Sequence, residues 1–250
     1  MITLINILVS LSPVLIFLIV LVVMDSYKLL RIWAVALTIL WGCIAAGVAL
    51  MFNRFVFTFV PHQSIFVSVV VAPIIEETIK SVYPLWQLKK KKIGFLVDSA
   101  IIGFAVGTGF ALIENLFFMQ ALGERSVFIW LIRGLGTAVM HGGTTGIMMI
   151  IVRYFTERRA RNPIFIVAGG LLTAMLIHAG FNYLVHVVSP EIILIMQLVI
   201  LPTLLAVTFT RSERICVTGW RKAWRPMSNC SVISAPVGSA KPRLGNIYTV

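Results

Sequence analysis

Pro73-Ile74-Ile75-Glu76-Glu77-Thr78-Ile79-Lys80 sets two adjacent carboxylates and a lysine inside an apolar run that otherwise reads as a membrane span. On insertion scales an ionised residue at the centre of a span costs about 2.5–3.5 kcal/mol. The three together cost roughly 8–10 kcal/mol before any pairing is credited. A chain carries such groups where they pair, line a wet cavity or do chemistry.

The surrounding composition makes the membrane reading general. The chain has 250 residues, 59% hydrophobic and 12% charged, with a mean hydropathy of +0.99. Soluble domains sit near 45–50% apolar and about 25% charged. The net charge of +12 invites a nucleic-acid reading. The basic residues, however, fall in short clusters between apolar runs, which is how membrane topology is encoded, so no nucleic-acid partner is expected.

Seven apolar runs predict an all-α, polytopic transmembrane bundle: residues 2–24, 32–52, 62–88, 95–120, 127–152, 163–187 and 192–210. At ~1.5 Å per residue each can cross a hydrocarbon layer of about 30 Å. The first run lacks a basic n-region and is read as a retained span. The loops after spans one, three and five carry Lys28/Arg31, Lys89 to Lys92, and Arg153/Arg158/Arg159/Arg161, whereas the alternate loops are nearly free of cations. This places the N-terminus outside and the C-terminus inside. The expected organisation is a transmembrane domain over 1–210, with its motif-bearing core at 62–187, and a basic cytoplasmic tail over 211–250. The Ser, Pro and Gly content of 226–250 predicts disorder at its end.

Further polar groups sit in the later spans. Gly103 and Gly107 have the spacing of a close helix contact. Glu114 is a third membrane carboxylate, with Asn115 beside it, and Phe110 shares its face. Span five holds His141, followed by Thr144 and Thr145, which can donate hydrogen bonds. Span six holds His178 and Asn182 four apart on one face. Measured from the basic ends of their spans, Glu76, His141 and His178 lie at roughly 17–23 Å and Glu114 near 30 Å. By that measure Glu114 is out of level with the others.

Two carboxylates and two imidazoles in a low-dielectric site can split into general acid and general base. They can equally hold Zn²⁺ or another divalent metal through His141, His178, Glu76 and Glu77, with a bound water as nucleophile. Lys80, one turn after Glu76, can pair with it.

These residues resemble the PrsW family of intramembrane proteases, distant relatives of the CAAX-prenyl-protease superfamily. That family carries Glu-Glu-x-x-Lys in one span, a Gly-rich Phe-Ala-x-x-Glu-Asn in the next, and single histidines in two later spans. Here they stand as Glu76-Glu77-Thr78-Ile79-Lys80, Gly109-Phe110-Ala111-Leu112-Ile113-Glu114-Asn115, His141 and His178, in order over residues 72–182. Asp98 and Arg133 also look like family positions. CAAX proteases share a His-x-x-x-Asn motif, met here by His178 and Asn182, but would carry a histidine where this chain has Glu114. That departure favours the PrsW branch.

The resemblance implies a multi-pass cell-membrane endopeptidase that cleaves membrane-protein substrates in regulated proteolysis, in bacteria anti-sigma factors. It implies Glu76, Glu77, Glu114, His141 and His178 as catalytic residues, supported by Lys80, Asn115 and Asn182. Asn182 would polarise the scissile carbonyl. Two other readings use some of the same residues: a non-catalytic membrane scaffold, and a proton-coupled transporter. A scaffold would spread the polar groups over separate helix interfaces. An enzyme would gather them in one cavity.

Overall fold

In a computed structural model of the protein, residues 4–24, 30–59, 65–122, 127–157, 162–189, 191–193, 195–196, 198–199 and 203 are described. Six α-helices and one π-helical segment account for almost all of them, and no strand occurs among them. The helices are α1 (Leu4–Met24), α2 (Ile32–Phe57), α3 (Ala72–Lys89), α4 (Leu96–Leu122), α5 (Val127–Glu157) and α6 (Pro163–Val187), with the π-helical segment at Val67–Val71. The first six expected spans thus appear as helices. Most of the seventh, and the whole of the tail, lie outside the described residues.

Among the described residues four helices are long and apolar enough to cross a membrane: Ile32–Phe57, Leu96–Ala121, Val127–Glu157 and Pro163–Val187. The run Leu4–Val20 in α1 is a further, shorter apolar helix. α3 is not among the four, because its 18 residues include Glu76, Glu77, Lys80 and Lys89.

α4 is the axis of the bundle. Every residue from Leu96 to Ala111 is buried, with α1, α2 and α5 packed round it. Lacking one polar face, such a helix shows no amphipathic stripe. Its glycines permit the approach. A Cβ on Gly107 would meet the backbone of His141 and Gly142, and one on Gly109 would meet that of Ile39 and Cys43. With dispersion and interhelical hydrogen bonds as the main forces between helices in lipid, small residues at such contacts are what hold helices close. The packing reading of the α4 glycines therefore holds, and it brings α5 alongside the site.

α3 reverses the soluble pattern. Pro73, Glu76, Glu77, Lys80, Ser81, Pro84 and Gln87 are buried, at spacings of three and four, while Ile74, Val82 and Trp86 are exposed. A helix in lipid buries its polar face and offers its apolar one to the chains. Pro73 explains the π segment ahead of it. The Ala72 N–H bonds Val67 O, five residues back. By that pairing Ser68 O would bond residue 73, and proline has no N–H.

Candidate active site

α3, α5 and α6 converge on Glu77. Its Oε1 accepts from Lys80 Nζ at 2.7 Å, from His178 Nδ1 at 2.8 Å and from Thr144 Oγ1 at 3.1 Å. Its Oε2 takes Thr145 Oγ1 at 3.5 Å. The Glu77 and Lys80 side chains are wholly buried. The Lys80 ammonium has three donors and no acceptor. One goes to Glu77, a second to His141 Nδ1 at 2.8 Å, and Nζ stands 4.3 Å from the centre of the Phe110 ring.

That contact assigns the His141 tautomer. Because Lys80 can only donate, Nδ1 is the acceptor and Nε2 carries the proton. Nε2–H then donates to Glu114 Oε2 at 2.6 Å. Glu114 Oε1 lies 3.7 Å from an Arg133 nitrogen, and the Arg133 guanidinium stacks 3.7 Å over Phe118. Glu114 is thus level with His141, which corrects the depth reckoned from the span ends. α5 continues to Glu157, beyond the basic residue from which that depth was counted. The two side chains also lean towards the N-termini of their own antiparallel helices, hence towards each other.

His178 and Glu76 form the other half. His178 donates through Nδ1 to Glu77, which leaves Nε2 facing Glu76 Oε2 at 3.8 Å. Glu76 Oε1 accepts from Asn53 Nδ2 at 3.1 Å. Glu76 Oε2 is buried and has no hydrogen-bond partner among the described residues. The rings of His141 and His178 meet edge to face, with centroids 5.0 Å apart.

Five residues named from the sequence therefore share one cluster: Glu76, Glu77, Glu114, His141 and His178, with Lys80 at its centre. Two supporting residues do not join it. Asn115 accepts from Thr137 Oγ1 at 3.0 Å and ties α4 to α5. Asn182 donates to Ser68 O at 2.8 Å, supplying the bond that Pro73 cannot. Asp98 accepts from the N–H groups of Gly94 and Phe95 at the start of α4, a helix cap remote from the cluster's chemistry. Asn53 escaped the sequence reading. Beside Arg54 it looks like a span boundary, yet Phe55, Val56 and Phe57 continue the helix past it. Those apolar residues were the available signal.

A cleft of about 270 Å³ opens between the N-terminal half of α5 and the C-terminal half of α6. Ile129, Ile132, Phe181 and Val185 make its apolar walls, with Arg133 and Thr137 also lining it. Thr137 is one turn from His141 and Phe181 one turn from His178, so the lining comes within a turn of each imidazole, though neither ring lines the cleft.

A helical membrane bundle that gathers carboxylates and imidazoles round one unsatisfied carboxylate oxygen has the makings of a hydrolase within the bilayer. Comparison with protein families supports this: the model for the PrsW family intramembrane metalloprotease matches residues 31–208. The chain belongs to the PrsW family and is a peptidase of the intramembrane class. No curated protein and no solved structure gives a significant match.

The family description is of a metalloprotease, and donor atoms of Glu76, His141 and His178 lie within 4.8 Å of one another. His178 fits a ligand's role, since a carboxylate orients it through Nδ1 and Nε2 is open. Glu76 Oε2 fits as well, being buried and unpartnered. His141 does not fit, because Lys80 and Glu114 take both its nitrogens. Glu77 Oε1 is engaged by Lys80 and His178, and the Thr144 and Thr145 hydroxyls divide their single protons between Glu77 and His141 O. Catalytic zinc sites use three protein ligands, and this arrangement offers two.

Proposed function

We propose that the protein is an intramembrane endopeptidase that cleaves membrane-protein substrates, with Glu76 as general base and His178 as its proton partner. The observation that carries this is the open, buried Glu76 Oε2 opposite His178 Nε2. Among the cluster's carboxylate oxygens it is the buried one without a hydrogen bond, and so the one free to take a proton.

Glu76 Oε2 removes a proton from water as the water oxygen bonds the scissile carbonyl carbon. The tetrahedral oxyanion then collapses, the C–N bond breaks, and the leaving nitrogen receives the proton from Glu76 or through His178 Nε2. Glu77 holds the His178 ring by Nδ1, so that Nε2 keeps its aim. Asn182 acts here as a positioning residue, its bond to Ser68 O holding the turn of α6 that carries His178. The apolar cleft beside the histidines suits an unwound stretch of a substrate's own span. Single-pass regulators such as anti-sigma factors are the substrate class that the family resemblance favours.

The test is cleavage of a co-expressed single-pass substrate by wild type and Glu76→Gln at matched abundance. General base catalysis contributes about 10²–10⁴-fold. A loss of that order in Glu76→Gln, with the protein still accumulating, is expected. Wild-type cleavage by Glu76→Gln overturns the assignment.

A further inference from the structure

We infer that Lys80 is the resident cation of this site and occupies the place of a third metal bond. A divalent ion added to this site would be held by Glu76 and His178 alone, in competition with the water that Glu76 activates, and His141 is not a ligand. The inference stands on the geometry of the cluster, independently of the role given to Glu76 in proteolysis.

A ring nitrogen binds metal through its lone pair, and the other ring nitrogen then carries a proton that needs an acceptor. On His141 neither orientation is available. Lys80 Nζ lies 2.8 Å from Nδ1, on the side where a metal would have to stand. A metal on Nε2 would displace Glu114 from its 2.6 Å bond. It would also put the proton on Nδ1, so that an imidazole N–H met an ammonium N–H head on. Nor does Lys80 have another place to go. Its remaining directions are taken by Glu77 at 2.7 Å and the face of Phe110, and no part of the side chain reaches solvent.

His178 shows the opposite arrangement. Its Nδ1 faces a carboxylate, and its Nε2 faces the unpartnered Glu76 Oε2. The two histidines thus differ in the partner at Nδ1, a carboxylate for one and an ammonium for the other. A bland reading makes Lys80–Glu77 an ordinary buried ion pair. That reading also accounts for the second bond, since a buried ammonium needs acceptors for its N–H groups, and the same bond closes the ligand position on His141.

The experiment uses the full-length protein in nanodiscs, titrated with Zn²⁺ and, for its spectrum, Co²⁺. We expect His178→Ala to weaken binding at least tenfold and His141→Phe to change it less than threefold. Lys80→Met frees Nδ1 and strengthens binding tenfold or more, and adding His141→Phe removes that gain. Wild type too weak to measure, with Lys80→Met measurable, supports the inference equally. A readout on wild type guards against a variant that does not fold. Among the four histidines, ¹⁵N spectra should show one, identified by its absence in His141→Phe, protonated at Nε2 alone and unmoved by zinc. The inference is overturned if His141→Phe loses metal as His178→Ala does, or if zinc shifts the His141 nitrogens.

Discussion

Glu76 and Glu77 are neighbours in sequence and opposites in environment. Glu77 is held by Lys80 and His178 at under 3 Å, and Glu76 has one bond, to Asn53, and a free oxygen. Glu77→Gln therefore strips charge from a centre that Lys80 and His178 both use. Breaking a buried pair on one side costs about 3–5 kcal/mol, because it leaves the other charge uncompensated. We expect Glu77→Gln to lower the thermal midpoint in detergent markedly, along with activity. Glu76→Gln should keep a midpoint close to wild type while losing turnover. Equal midpoints for the two variants would contradict this division of roles. On the proposed mechanism both glutamates are needed, one for chemistry and one for architecture.

At the scale of elements, the junction between the π segment and α3 depends on α6. Pro73 removes the N–H that Ser68 O would take, and Asn182 supplies one instead at 2.8 Å. His178, one turn earlier on the same face of α6, meets α3 at Glu77. A buried carbonyl left without a donor costs about 1–3 kcal/mol. Asn182→Ala should destabilise by that amount and reduce activity by misplacing His178. In the Pro73→Ala background residue 73 regains an N–H for Ser68 O. The stability cost of Asn182→Ala should shrink there, as read from a double-mutant cycle of unfolding free energies. A cost unchanged by Pro73→Ala would show that Asn182 does not stand in for the missing N–H.

For the whole molecule, the apolar cleft between α5 and α6 has lining residues one turn from each histidine, so filling it should obstruct substrate and spare chemistry. Val185 lines the cleft and is not part of the cluster. Val185→Trp should raise KM for a membrane substrate about tenfold while kcat changes less than twofold, measured in proteoliposomes. A pure loss of uniform binding has that signature. A fall in kcat at constant KM would place substrate entry elsewhere.

The sequence by itself determined the helical membrane architecture, because a 59% hydrophobic chain in runs of span length has no other way to satisfy its backbone in lipid. It also determined which polar residues matter, because a charged or imidazole group in such a run stands out against its cost. What it left open was decided by side-chain direction and helix register. Glu114 joins His141 because α4 and α5 pack closely through glycine and both side chains lean inward, which counting along single spans does not capture. Asn53 reaches Glu76 because α2 runs past the boundary that Arg54 marks. The difference between Glu76 and Glu77, and the lock that Lys80 places on His141, depend on which donor stands within 3 Å of which atom. Periodicity assigns a residue to a face. Only the packed structure decides which partner it meets there.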